Sequence, residues 1–97
     1  MYKMEIQQKE TKSGGKFFIE ENDRQLALLT YKKSGADKII IDHTEVDSNF
    51  RGEGLGEDLV EAAVKFAREN NLKIVPTCPF AKKVIDDKPE FQYVLSE

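Results

Sequence analysis

One cysteine, Cys78, and one histidine, His43, are all the thiol and imidazole groups that the 97 residues carry. A single cysteine cannot close a disulfide within the chain, and one Cys with one His is too few for a Cys/His metal cluster. A reducing cytoplasm and no bound metal are therefore expected. No apolar run, Ile39-Ile40-Ile41 included, approaches the roughly 20 residues of a membrane span, and Met1 to Glu5 carries no apolar stretch of the signal-peptide kind. Blocks of basic charge are missing as well. The 15 Lys and Arg stand scattered among 18 Asp and Glu, net −3, and no concentrated basic face can be assembled to displace counterions from a phosphate backbone. Nucleic acid and membrane are thus not expected as partners.

What is present is an ordinary globular composition. The hydrophobic fraction of 39% lies in short periodic runs, which argues against disorder. The length suits one compact domain over residues 1–97, with one core and one site. Monomer and weak dimer are both compatible with that size.

The first half reads as strands. Met4 to Gln7 alternates apolar and polar, Ser13-Gly14-Gly15 is a turn signal, and Lys16 to Glu20 is a second strand ended by Glu21-Asn22-Asp23. Arg24 to Lys33 alternates again. Ser34 to Asp37 turns the chain into Lys38 to Val46, the most apolar strand and the one expected at the centre of the sheet.

After Val46 the period changes from two to 3.6. Leu55, Leu59, Ala62, Ala63, Phe66 and Ala67 form one face of an amphipathic helix, and Asn70-Asn71 stops it. Leu72 to Val75 is a short strand. Pro79 suits the first position of a second helix running to about Ile85, and Phe91 to Leu95 reads as a final short strand. The expected class is α+β, or mixed α/β, with a mainly antiparallel twisted sheet, two helices and a βαβ crossover around the first.

The segment Arg51-Gly52-Glu53-Gly54-Leu55-Gly56 joins the apolar strand to the first helix. Glycines at alternate positions let backbone N–H groups approach a ligand at a helix N-terminus, where the dipole favours phosphate, and Arg51 adds a full charge. A tight turn would use the same glycines, and Glu57 and Asp58 complement the dipole with no ligand at all. Neither the P-loop nor the dinucleotide fingerprint fits, since no Gly-Lys-Ser/Thr follows and four strands precede.

The pattern Arg-x-x-Gly-x-Gly at Arg51, Gly54 and Gly56, after a strand ending in Val46, resembles the pyrophosphate loop of the GNAT N-acetyltransferases. Ile41-Asp42-His43-Thr44-Glu45-Val46 taken with Pro76-Thr77-Cys78-Pro79-Phe80-Ala81-Lys82 is similar to its small single-domain subgroup. The resemblance spans about Ile39 to Phe91 and implies a GNAT-like acyl-CoA N-acyltransferase fold with acetyl-CoA as cosubstrate. It implies that Thr44, Glu45 and Val46 lie along the pantetheine arm, and that Arg51, Gly52, Glu53, Gly54, Leu55 and Gly56 hold the pyrophosphate. Cys78 and Ala81 match the family's Asn-x-x-Ala, with Cys for Asn. The family's general-acid Tyr would fall near Ile85 and is absent.

Acyl transfer from a thioester to an amine needs a free amine, a stabilised oxyanion and a protonated leaving thiolate. Cys78, at or next to a helix N-cap, suits a nucleophile or a proton donor; a buried small residue is its structural alternative. His43, on the same strand face as Glu45, suits a base for the substrate ammonium or a partner for Cys78, against a histidine satisfied by a neighbour such as Asp42 or exposed at a sheet end. The expected function is transfer of an acetyl group from acetyl-CoA to a primary amine of a small molecule, peptide or protein. A non-catalytic CoA or acyl-CoA-binding module is the rival, and a thiol enzyme without CoA is a third that leaves the glycine loop unused.

Overall fold

The computed structural model describes residues 5–95. Five strands form one sheet in the order of the chain: β1 (Gln7–Glu10), β2 (Gly14–Glu21), β3 (Arg24–Ser34), β4 (Lys38–Val46) and β5 (Lys73–Pro76). Neighbours are antiparallel except β4 and β5, which are parallel and joined by helix α1 (Leu55–Glu69). Helix α2 (Pro79–Asp87) follows β5. The α+β class, the mainly antiparallel sheet and the crossover around the first helix stand as expected. The middle strand, however, is β3; β4 lies one place from the edge, flanked by the short β5.

Three further boundaries differ from the pattern-based reading, each for a physical reason. The first strand starts at Gln7, beyond the Met4 to Gln7 alternation: Ile6 packs on the core while β1, all exposed, takes its place by pairing with β2; Met4 lies outside the described residues. Gly14 and Gly15 sit in β2, after a turn closed by the Thr11 N–H donating to Gly14 O at 2.7 Å. Glycine is needed there for close approach, because a Cβ on Gly14 would run into the Tyr31 carbonyl and one on Gly15 would meet the Tyr31 phenol at 2.6 Å. Lastly, Phe91 to Leu95 is no strand. Pro89–Val94 is a 3-10 helix, and Phe91 and Val94, three apart, are both buried on one side of it. Only Leu95 bridges to β5, at Ile74.

The core lies between one face of the sheet and the two helices. Leu29, Ile39, Ile41, Leu59, Val60, Ala63, Val64, Ile74 and Ile85 have no exposed surface. The α1 stripe includes Val60 and Val64, beyond the residues expected, while Ala62 and Phe66 are only half-buried at its margin. That broader stripe follows from packing, since α1 meets the sheet, α2 and the 3-10 helix together. Phe66 closes the margin by meeting Phe17 and Tyr31, with ring centroids 5.6 to 5.8 Å apart.

Candidate active site

Two irregularities of β4 build the site. Thr30 pairs with His43 and Tyr31 with Ile41, so Asp42 is an extra residue, a β-bulge. A strand alternates sides with period two, and one extra residue exchanges the faces beyond it. Ile39 and Ile41 point to the helices before the bulge; after it Thr44 and Val46 do, while His43 and Glu45 turn to the outer face. The second irregularity is the loss of β5. Pairing runs only from Lys38↔Lys73 to Ile41↔Pro76. The N–H groups of Thr77 and Cys78 then both donate to Ile41 O, at 3.0 and 3.2 Å, as the chain leaves the sheet for α2. From Asp42 to Val46, β4 has β3 on one side and an opening on the other.

The opening continues into a groove of about 550 Å³, lined by Thr44, Glu45 and Val46 on one wall, by residues of Phe50 to Glu57 at the end, and by Phe80 on the other wall. Eight of the nine residues expected along the ligand border it: Thr44, Glu45, Val46, Arg51, Gly52, Gly54, Leu55 and Gly56. Glu53 does not. Phe50, Glu57 and Phe80 were not foreseen. Phe80 had a signal in the sequence, an aromatic off the Ala81, Val84, Ile85 stripe of its helix; Phe50 and Glu57 are set by the turn of the loop and had none.

The loop turns its backbone N–H groups and one cation towards the groove end. Gly54 is the N-cap of α1 at φ 79°, a left-handed conformation that costs a branched residue dearly. The first helical bond runs from Asp58 N–H to Gly54 O at 2.9 Å, so the N–H groups of Leu55, Gly56 and Glu57 have no intrahelical acceptor and face the groove end. A Cβ on Gly52 would meet nothing within 4 Å, and one on Gly54 only the Glu57 carboxylate at 4.0 Å. Both positions border open space. Arg51 borders it, exposed and with no ion pair among the described residues. Lys82 and Lys83, by contrast, are held by Asp86 and Asp87 at 2.9 and 3.1 Å on the outer side of α2.

Cys78 is the N-cap of α2, with Pro79 next in the chain, as expected. Its Sγ lies 3.2 Å from Thr44 Oγ1, behind the groove wall. Burial pushes the thiol up, but the Thr44 hydroxyl and the N–H groups of Ala81, Phe80 and Thr44 together outweigh it and hold Cys78 below the usual thiol range. No N–H makes a formal capping bond to Sγ; the nearby Ala81 and Phe80 dipoles act on it without that geometry. His43 lies on the opposite face of the sheet. Its Nε2 is 3.4 Å from Glu45 Oε2, and both side chains are 56% exposed. The structure therefore brings Cys78 to Thr44 and His43 to Glu45, and does not bring His43 to Cys78. Asp42, the neighbour weighed for His43, accepts instead from Thr30 Oγ1 at 2.6 Å.

Comparison with known proteins agrees with the fold. The profile of the family described as GCN5-related N-acetyl-transferase matches residues 16–94. The NATD1 protein of Xenopus tropicalis is 37% identical over 68 residues, 70% of this chain and 62% of its own length, so the match spans about three fifths of that relative. The solution structure of a GCN5-like candidate N-acetyltransferase from Staphylococcus aureus superposes with a TM-score of 0.76 at 39% identity, over 99% of this chain and 91% of that one. A candidate streptothricin acetyltransferase from Bacillus anthracis, solved with acetyl coenzyme A, shares the fold at 20% identity, with a TM-score of 0.61 over 76% of this chain and 48% of its own.

Proposed function

The chain belongs to the GCN5-related N-acetyltransferase family, and from that premise we propose that it moves an acetyl group from acetyl-CoA to a primary amine. The observation that carries this reading is the continuity of the groove, from the amides of Leu55 to Glu57, past Val46, to Thr44 with Cys78 directly behind it. Arg51 and those amides hold the pyrophosphate, and the open side of β4 offers backbone groups to the pantetheine arm. A thioester seated this way reaches the opening between β4 and α2, where Thr44 stands on the helix side with the buried Cys78 thiol behind it and His43 and Glu45 stand on the outer side.

Those two sides divide the work. Cys78, held below the usual thiol range, is the nucleophile: its sulfur bonds to the thioester carbonyl carbon, the carbon–sulfur bond to CoA breaks, and the Cys78 proton leaves with CoA as its thiol. The amine then attacks the acetylated Cys78 from the outer face, an amide forms, and the proton given up by the nitrogen restores the thiol. His43, with Glu45 beside it, takes the surplus proton of the incoming ammonium. Incubation with acetyl-CoA and no acceptor should add one acetyl mass to the intact protein, discharged by added amine and absent in Cys78→Ala. Full turnover without the adduct excludes the relay and leaves direct attack; CoA binding with no turnover on any amine of a broad panel leaves only a binding module.

A further inference from the structure

Phe80 is the only large apolar side chain that stands exposed among the described residues, at 41%. It lies in the first turn of α2 but off the buried stripe of Ala81, Val84 and Ile85. The tip of its ring rests on Gly56, where a Cβ would come within 2.9 Å of Phe80 Cε2 and Cζ and 3.4 Å of Val46 Cγ2. Gly56 thus keeps its side-chain position empty so that ring and helix can touch, which is a different task from admitting a phosphate. The ring also divides two hollows: it borders the groove on one side, and on the other a space of about 220 Å³ lined by Glu57, Lys83, Val84, Asp87 and Lys88.

We infer that Phe80 is a clamp for the pantetheine arm, a positioning residue that selects ligands carrying that arm over the bare diphosphate. This rests on the acetyl-CoA reading of the groove. Val46 and the tip of the Phe80 ring both lie against Gly56, immediately beyond the amides assigned to the pyrophosphate, so an arm running from there to Thr44 crosses the exposed ring. An exposed phenyl ring gains contact only when something apolar covers it, and the hollow behind gives the ring room to swing aside on entry and fold back. Val46 and Phe50 also bring apolar surface to the groove, but both are partly buried against the core. Phe80 brings the most exposed apolar side chain of the lining.

Calorimetry with CoA, and with adenosine 3′-phosphate 5′-diphosphate as the same molecule without the arm, separates this from the loop's own contribution. Phe80→Ala should weaken CoA by roughly tenfold or more, the scale of losing one well-covered apolar side chain, while the diphosphate changes by less than about twofold. Phe80→Leu should recover most of the loss. A fluorine resonance from 4-fluorophenylalanine installed at position 80 should move on adding CoA and stay with the diphosphate. Equal losses for both ligands would mean that the ring only shapes the Gly56 turn, and no loss for either would mean that it touches nothing; each overturns the clamp. A wild-type protein that binds the diphosphate but gains nothing from the arm also overturns it, with the loop reading intact, whereas failure to bind either ligand removes the reading beneath it.

Discussion

The two halves of β4 are one strand with two occupations. From Lys38 to Ile41 it is paired on both sides, and Ile39 and Ile41 have no exposed surface. From Asp42 to Val46 it is paired on β3 alone, no residue is fully buried, and Asp42, His43, Thr44 and Glu45 project from it. The bulge at Asp42 and the last β5 pair at Ile41 fall at the same point. A strand that lost its partner without the bulge would present His43 and Glu45 to the helices. With the bulge, a hydroxyl faces the thiol and the charged groups face water. Stability and chemistry are thereby separated by a single residue, and substitutions on either side of it should fail in different ways.

The largest effect is expected in the first half. Ile41→Ala removes a fully buried side chain between sheet and helices and should cost about 3 kcal/mol of unfolding free energy in denaturant titration, with CoA affinity preserved in the fraction that stays folded. If Ile41→Ala lost binding with unchanged stability, the division drawn at Asp42 would be misplaced. At the groove end, Gly54→Val forces a branched residue to φ 79°; it should reduce CoA binding at least tenfold in calorimetry while circular dichroism stays native, at a strain cost of roughly 1–2 kcal/mol. A folded variant with normal affinity would remove the pyrophosphate from the N-terminus of α1.

Two smaller effects test the second half. Thr44→Val deletes the hydroxyl that meets Cys78 Sγ at 3.2 Å, so the thiol should titrate higher, seen as an upward move of the pH midpoint for alkylation of Cys78. The sign follows from the balance at that thiol: burial already raises its pKa, and the Thr44 hydroxyl is the leading group that lowers it. An unmoved midpoint would leave the helix amides as sufficient cause. His43→Ala is the mildest. The ring is mostly exposed, so stability should change by less than about 0.5 kcal/mol, and transfer should slow mainly towards lower pH, where no hydroxide replaces the base. A uniform rate loss across pH would point to positioning of the acceptor instead.

Much of this was legible in the chain itself. The change from period two to 3.6 after Val46, the proline at position 79 and the glycines from 52 to 56 announce a strand, a loop, a helix and a second helix start, because each is a local preference of backbone or side-chain geometry. The resemblance to the GNAT family, rather than any local preference, pointed to the eight residues that border the groove, Thr44 to Val46 among them. Where local preference was weak the reading slipped: Phe91 to Leu95 alternates well enough for a strand, yet Phe91 and Val94 serve a 3-10 turn, and Gly14-Gly15 has the look of a bend while Tyr31 demands its bareness from across the sheet.

What no local pattern contains is the pairing of distant segments. The bulge exists only in the register between β3 and β4, and it alone decides that Thr44, not His43, faces Cys78 thirty-four residues later. The sequence by itself determined most of the elements, the glycine loop at a helix N-terminus and the places of the one thiol and the one imidazole along the chain, since these depend on neighbours along the chain. Tertiary structure decided which of them meet, the burial that pushes the Cys78 thiol up against the donors that pull it down, and the exposure of Phe80, since register and packing are properties of contacts between segments and are fixed only when the sheet closes.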